Sequence, residues 1–256
     1  MYRWTYVLLL LTTCWACTPP PAATEEVPIG NPAAEGFDEA NSDAEAIAIA
    51  DEVMEAMGGR RAWDTTRYFT WDFFGFRTLT WDKTENRVRI DLPGDTAVYI
   101  LDMNTDTGLA WEKGIALTDA DSLANRMERA KSIWINDSYW LVMPFKLKDS
   151  GVTLTYVGKD STEAGEVADL LELRFKDVGR TPQNKYQVWV NENSRLVSQW
   201  AYFPQAEDTE PRFINPWLDY QPYGDLLLSG SRGERGMENI SVSQSMAEAV
   251  FEIESP

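Results

Sequence analysis

The chain contains no histidine, and this absence removes several classes of enzyme at once. Histidine is the side chain that titrates closest to neutral pH, so enzymes use it most often as a general base. Without it the chain can form neither a Ser-His-Asp triad nor a histidine-ligated zinc site. Hydrolases that use paired carboxylates remain compatible with this composition, as do proteins that bind carbohydrate or lipid.

Cysteine is nearly as scarce, since only Cys14 and Cys17 occur and both lie close to the N-terminus. The rest of the chain therefore has no disulfide, no thiolate metal site and no cysteine nucleophile.

Residues 102–108 resemble the start of a calcium-binding loop, but the glycine lies one position later than in such a loop. The twelfth position of the loop, which should be a bidentate Glu, is Lys113. We predict a hairpin turn there, and no metal or other cofactor.

Basic residues are in the minority, with 23 Lys and Arg against 41 Asp and Glu, for a net charge of −18. A surface of this sign repels nucleic acid phosphates and anionic lipid headgroups. We therefore expect no nucleic acid partner, and any membrane attachment has to come from something other than surface charge.

The N-terminus provides such an attachment. Arg3 precedes the apolar run 6–11, and the pattern is typical of a secretory signal that is too short to span a bilayer. A cysteine at the exit of the signal is typical of a bacterial lipoprotein, and its acyl chains would hold the protein on a membrane. We favour Cys17 as the acylated residue, because Ala16 precedes it and a proline-rich spacer follows; Cys14 is the alternative. A signal cleaved without lipidation and an uncleaved anchor also stay open.

The chain then divides into a signal peptide (1–17), a solvated tether rich in Pro, Ala, Gly and acidic residues (18–41), and a folded domain (42–256). We expect the protein in the bacterial cell envelope. There it would be lipid-anchored to the outer membrane, facing the periplasm or the cell surface.

The folded part reads as α+β. Apolar residues at helical spacing predict a helix over residues 43–57 and a second over residues 119–134, which would be inserted between strands as a lid. The other segments are β-branched and aromatic runs bounded by turn residues. About ten antiparallel strands in a curved sheet, an open half β-barrel, account for this pattern. Strands are predicted at residues 67–74, 77–82, 86–92, 96–102, 108–113, 139–142, 152–159, 167–176, 185–191, 195–203, 225–229 and 237–243, with a loop at 204–216.

Aromatic residues are abundant, with 11 Trp, 10 Tyr and 10 Phe, and several strands carry apolar side chains on both faces. One interpretation is an aromatic-rich core. The other is an apolar cavity that binds a ligand. Its candidate lining residues are Trp71, Trp81, Tyr99, Trp111, Trp140 and Trp189.

Two further patterns are weaker. Asp72 and Asp82 each follow a Trp on a predicted strand, and a glycosidase would need two carboxyls about 5 to 10 Å apart. Residues 229–236 are glycine-rich but lack the Gly-Lys-Ser/Thr ending that holds phosphate, so we expect a flexible turn. No catalytic residue is predicted, and the chain is expected not to be an enzyme.

Three stretches carry a family resemblance: 48–63, 71–75 and 136–147. They look like a family of uncharacterised bacterial lipoproteins, which is similar in layout to the LolA, LolB and LppX group of lipoprotein and lipid carriers. The resemblance implies an unclosed antiparallel barrel with helices as a lid over an apolar cavity that accepts acyl chains. It supplies no catalytic residues. This chain also departs from LolA, a soluble shuttle, because it retains a lipidation signal.

Three functions follow as hypotheses. The first is a membrane-anchored protein whose half-barrel binds a lipid, or the acyl chain of a lipidated protein. The second is a structural or assembly lipoprotein of the outer membrane with a filled barrel. The third is a glycan-binding or glycan-hydrolysing protein. A cavity above about 300 Å³ beneath the helix at 119–134 would favour the first, a filled barrel the second, and two close buried carboxyls the third.

Overall fold

The computed structural model describes Met1 and residues 30–252 of the chain. Both cysteines, the predicted signal beyond Met1 and the predicted tether up to residue 29 lie outside the described residues, so acylation stays a prediction. None of the helices in the described part combines the length and the apolar composition that crossing a bilayer requires.

Three helices cover parts of the sheets. They are α1 (Ala44–Ala56), α2 (Gly59–Thr65) and α3 (Ala120–Val142). The apolar stripe that predicts α1 is its buried face, which includes Ile49 and Val53. The helix ends where the chain turns at Gly58, with φ +111°, and a Cβ there would lie 2.1 Å from the carbonyl oxygen of Asp225. Only glycine fits both the conformation and the close approach.

The strands are short and consecutive along the chain. They are β1 (Tyr68–Phe73), β2 (Arg77–Asp82), β3 (Arg87–Leu92), β4 (Ala97–Asp102), β5 (Thr107–Glu112), β6 (Ile115–Ala116), β7 (Val152–Ser161), β8 (Val167–Phe175), β9 (Lys185–Asn191), β10 (Val197–Phe203), β11 (Phe213–Pro216), β12 (Leu218–Tyr223), β13 (Leu226–Ser231) and β14 (Met237–Ser243).

These strands form three antiparallel sheets. The first has the order β14-β1-β2-β3-β4-β5-β6, the second β11-β10-β9-β8-β7, and the third is the β12-β13 hairpin. A single bridge between Ser231 and Gly236 leads from this hairpin into β14. Within residues 30–252 none of the sheets closes on itself. The predicted α+β fold with an open, curved antiparallel sheet and an inserted helix is confirmed.

The register of the first sheet separates an apolar inner face from a polar outer face. Trp81 pairs with Phe69 on one side and Val88 on the other, and all three side chains are buried in the central core. The neighbouring residue Asp82 points to the opposite face, where it pairs with Arg87. This alternation is the period of two that places successive side chains on opposite faces of a strand.

Two predictions about secondary structure are wrong. Residues 139–142 are predicted as a strand but form the last turn of α3, which runs eight residues beyond Trp134 to Val142. Their aromatic and β-branched side chains favour a strand locally, but tertiary packing of Leu141 in the core overrides that preference. The predicted loop 204–216 ends in β11, which pairs with β10.

The described part of the predicted tether also differs from expectation. The Ala34 amide donates to the Lys148 carbonyl at 2.9 Å, and the Asp38 amide donates to the Val152 carbonyl at 3.0 Å. This segment therefore lies against the domain instead of being solvated throughout 18–41. Backbone hydrogen bonds leave no hydrophobic periodicity in a sequence, so composition alone did not indicate the contact.

Candidate functional site

Four of the six predicted aromatic residues lie together inside the half-barrel. Trp71, Trp81 and Tyr99 project from the inner face of the first sheet and are at most 7% exposed. Trp140, on α3, packs against the same core and lies edge-on to Phe74 with ring centroids 5.2 Å apart. These four side chains therefore belong to one apolar core on the inner face, where other aromatic and aliphatic residues lie between them.

The other two predicted residues lie elsewhere. Trp111 pairs with Val98 on the outer face of the first sheet and is only half-buried. Trp189 belongs to a separate cluster on the outer face of the second sheet, where its indole N–H donates to Asp160 at 2.9 Å. Neither side chain lines the interior. Because side chains alternate along β9, Trp189 lies on the face opposite to Tyr186, and this pattern in the sequence could have removed Trp189 from the predicted lining residues.

Four tryptophans of the central core were not among the predicted residues, and one of them, Trp63 on α2, stacks on Phe145 with ring centroids 4.6 Å apart. Trp134 projects from α3 and meets Trp81 edge-on at 5.5 Å. Trp200 on β10 and Trp217, between β11 and β12, cross at 89° with ring centroids 5.8 Å apart. Trp217 sits just after the predicted loop, so only the register of the strands could identify it as an interior residue.

The interior presents hydrogen-bond donors without matching acceptors. Within the described residues, five buried indole nitrogens and one buried phenol oxygen have no hydrogen-bond partner: those of Trp71, Trp81, Trp134, Trp200, Trp217 and Tyr139. A buried donor left unpaired costs about 1–3 kcal/mol. Trp81 with Trp134, and Trp200 with Trp217, meet edge to face, which favours the packing of the rings but supplies no oxygen acceptor. The interior is therefore mostly apolar, but its unpaired N–H and O–H groups could donate hydrogen bonds to the oxygen atoms of a ligand.

Side chains occupy the space directly beneath α3. Met127 and Ala130 are buried on the face of the helix that meets β4 and β5, with Met127 only 3% exposed. The approach is close, because a Cβ on Gly108 would lie 2.6 Å from the Met127 sulfur. This part of the barrel is filled in the conformation observed.

A cavity of about 460 Å³ lies at a different place, between α1 and the strands β7–β9. It is open and mainly polar. Its charged groups are paired with one another, since Arg195 contacts Asp169 and Glu52, and Lys159 contacts Asp169 and Glu192. This groove is not the apolar hollow that the sequence predicts.

The first half of α3 is held to the sheet by the buried side chains of Met127 and Ala130 and by ion pairs at its rim. Arg129 contacts Asp95 at 2.7 Å and Lys131 contacts Asp106 at 2.6 Å. Arg126 also contacts Glu112. All of these charged side chains are about one third to three fifths exposed, so each pair contributes about 0–1 kcal/mol and is weakened by salt.

The second half of α3 is held by a buried ion pair. Arg77 on β2 donates from Nε to Asp137 Oδ2 at 2.5 Å and from Nη2 to Oδ1 at 2.7 Å. The Asp137 side chain is fully buried, and this burial raises its pKa against the lowering influence of Arg77 and Asn136. The two halves of α3 therefore differ in their ion pairs, which are exposed in the first half and shielded from water around Asp137 in the second.

The carboxylates considered for glycan hydrolysis are not close together. Asp72 and Asp82 both lie on the outer face, paired with Thr78 and Tyr68 respectively, which places them four residues apart along the strands. At about 3.3 Å per residue their separation is about 13 Å, beyond the range of a glycosidase pair. Burial would raise the pKa of Asp82, but hydrogen bonds from Arg67, from the Glu85 amide and from Arg87 lower it to about 2.

The segment that resembles a calcium loop forms the turn between β4 and β5, as predicted. Its Asp102 accepts a hydrogen bond from the Asn104 amide, and Asp106 is paired with Lys131. Among the described residues there is no group of three or more acidic, histidine or cysteine side chains placed to hold a metal ion.

Comparisons with known proteins find similarity at the level of structure. No protein-family model and no curated protein matches the sequence. The structure is similar to that of a DUF1329 family protein from Desulfovibrio piger, with 12% identity, 81% of this chain and 97% of that chain covered, and a TM-score of 0.43. It is also similar to a LolA superfamily protein from Nitrosomonas europaea, with 8% identity, 80% and 96% coverage and a TM-score of 0.40.

A third similar structure is MucB, with 15% identity, a TM-score of 0.27, and 83% of this chain and 64% of that chain covered.

Proposed function

We propose that this protein is a membrane-anchored lipoprotein that binds an acyl-bearing amphiphile, either a lipid or a lipidated protein, inside its half-barrel. The observation that carries the proposal is the aromatic core on the inner face with its unpaired indole N–H groups. The rings suit an acyl chain, and the donors suit ester or headgroup oxygens.

The expected energies are sufficient for binding. Burial of a chain of about sixteen carbons contributes on the order of 10 kcal/mol before ordering costs. Each ester oxygen that meets a buried indole N–H removes an unpaired donor and contributes about 1 kcal/mol more. An amphiphile is therefore a better match to this interior than a plain hydrocarbon.

Entry of a ligand requires α3 to move, because side chains fill the space beneath it. Among the ion pairs that hold α3, the exposed rim pairs of its first half cost least to break, while Asp137 and Arg77 keep the second half in place. We infer that α3 swings as a cover around its C-terminal half.

The first test is native mass spectrometry of the full-length protein purified from its own membrane. The proposal expects a co-purifying lipid in addition to the covalent acyl chains. Trp71→Phe removes an inner indole N–H and keeps a ring, so it should retain less lipid than the wild type. Trp189→Phe, a matched change on the outer face, should retain as much lipid as the wild type.

A structural or assembly role is the second candidate, and the filled space beneath α3 favours it. Such a protein would use its barrel as a rigid body and would carry no lipid besides its anchor. Protein without bound lipid, in both the wild type and the Trp71→Phe variant, would support this role and refute the binding function.

The proposed anchor has its own test. Cys17→Ser should abolish attachment to the membrane, measured by fractionation and by metabolic labelling with a fatty acid, whereas Cys14→Ser should leave attachment intact. The opposite pair of results would identify Cys14 as the acylated residue.

A further inference from the structure

The glycine-rich segment 229–236 contains the end of β13 and the turn that leads to β14, and it places an arginine inside the protein. The Arg232 amide donates to the Arg235 carbonyl at 2.8 Å, and the turn passes through Gly233 at φ +84°. Arg232 is only 4% exposed, whereas Arg235, three residues later, lies in solvent.

The hydrogen-bonding groups around Arg232 are all neutral. Nη1 donates to the Ser229 hydroxyl at 2.8 Å and to the Ser231 carbonyl at 2.6 Å. Nη2 donates to the carbonyls of Trp140, at 2.5 Å, and Ser229, at 3.3 Å. Nε has no partner, and within residues 30–252 no carboxylate lies in ion-pair distance of this guanidinium.

A buried cation without a counter-ion is costly, by several kcal/mol. Burial lowers the pKa of Arg232 to about 9, so the group still carries its charge at neutral pH. The chain has 41 acidic residues and pairs the partly exposed Arg77 with the buried Asp137, yet within residues 30–252 it places no carboxylate beside Arg232. The charge of Arg232 is therefore met by neutral acceptors alone, one of them the Trp140 carbonyl in the last turn of α3, where the helix dipole is negative.

Besides these four acceptors, Arg232 has a pair of indoles nearby. Its guanidinium carbon lies 3.3 Å above the ring of Trp217, which crosses Trp200 at 5.8 Å. Both indoles are at most 2% exposed, and neither N–H has a partner in the described part of the chain. A cation and two donor-only groups in a site of low dielectric constant favour an oxyanion.

The same site adjoins the apolar interior. Trp200 meets Trp140 at 4.8 Å, and Trp140 in turn meets Phe74 at 5.2 Å. A ligand with its charged end near Arg232 could therefore lay its chain along these aromatic rings of the core.

We propose that Arg232, Trp200 and Trp217 form a buried site for the oxyanion of an acyl amphiphile, a carboxylate or a phosphate ester. This inference rests on the proposed binding function and specifies its ligand class. It predicts selection for an anionic head in a protein whose net charge of −18 would otherwise disfavour anions.

The test measures binding to the full-length protein in phosphatidylcholine nanodiscs through quenching of its tryptophans. The probes are dibrominated stearate, a dibrominated lysophosphatidate and the uncharged glycerol ester of dibrominated stearate. We expect the wild type to prefer at least one of the two anionic probes over the ester by about tenfold, which corresponds to one charge-assisted hydrogen bond. Which anionic probe binds more tightly distinguishes a fatty carboxylate from a phosphate ester, and inorganic phosphate alone, added as competitor, tests for a free anion.

Variants assign the preference to the site. Arg232→Gln should lose the preference about tenfold while binding the uncharged ester as the wild type does, and Arg232→Lys should keep part of it. Arg235→Gln removes an exposed charge from the same turn and should change nothing. If Arg232→Gln does not fold, the proposal is judged from the preference of the wild type for the anionic probes over the uncharged ester.

Equal affinity of the wild type for all three amphiphiles would overturn the oxyanion site but leave the proposed function standing. Failure of every amphiphile to bind would overturn both. Displacement of the anionic probes by inorganic phosphate supports the site and indicates that it accepts a free anion as well.

Discussion

The strongest prediction from the packing of α3 concerns its buried ion pair. Arg77→Met would leave the Asp137 carboxylate fully buried without a cation, since its only other side-chain partner is Asn136 at 2.9 Å. Removing one partner of a buried pair costs about 3–5 kcal/mol, and we expect this loss in the free energy of unfolding. Asp137→Asn should cost less, about 1–3 kcal/mol, because Arg77 is 21% exposed and can reach water.

The loss of stability in Arg77→Met should depend on pH. Burial raises the pKa of Asp137 above its unfolded value, so protonation favours the folded state, and that contribution is lost as the pH rises through the folded pKa. In Arg77→Met the carboxylate has lost its cation and its pKa rises further. The deficit of this variant should therefore be largest near neutral pH and should shrink at about pH 5.

The measurement is urea unfolding followed by tryptophan fluorescence at both pH values. The double variant Arg77→Met, Asp137→Leu is the control, and it should recover most of the loss because no charge remains buried. A deficit of less than about 1 kcal/mol for Arg77→Met, with the same size at both pH values, would refute the buried pair as the attachment of α3.

Three further predictions test other parts of the same arrangement. Gly108→Ala should destabilise the protein by about 1–3 kcal/mol in the same assay, because its Cβ would lie 1.9 Å from the Ile100 carbonyl oxygen; Gly94→Ala, with open space around it, should have almost no effect. Asp82 has a pKa of about 2 in the folded state, below its unfolded value, so its ionised form contributes about 2 kcal/mol to the free energy of unfolding. This contribution is present above about pH 4 and is lost as the pH falls toward 2. The stability of Asp82→Asn should therefore fall less steeply with pH in this range, and a pH profile equal to that of the wild type would contradict the assignment. Raising salt from about 0.1 M to 1 M should speed hydrogen exchange in residues 120–131 more than in residues 132–142, because the rim pairs are exposed and Asp137 is not; equal changes in both halves would argue against this difference between their ion pairs.

Much of the architecture was predictable from local patterns. The first helix and the five strands from Tyr68 to Glu112 follow the spacing of apolar residues and turn signals, which act over a few residues. The prediction failed at residues 139–142, where Tyr139 and Trp140 favour a strand. There the helix persists because Leu141 packs into the core, a contact that no local window contains.

The candidate site was predictable only in part. An abundance of tryptophan indicated an aromatic interior, and four of the six selected residues lie there. Trp111 and Trp189 were misplaced because the face of a strand depends on its register with its neighbours, and a shift of one residue reverses every side chain. Trp217 and Arg232 were missed because one follows a predicted loop and the other sits in a turn.

The sequence by itself determined which side chains are missing for catalysis and where most of the regular elements lie. The absence of histidine excludes whole classes of catalysis, and periodicity, a property of neighbouring residues, places most helices and strands. Tertiary structure alone decided which tryptophans meet, that Arg77 finds Asp137 sixty residues away, and that Arg232 is enclosed without a carboxylate. Those facts depend on the pairing of distant strands, and no stretch of sequence encodes such pairing by itself.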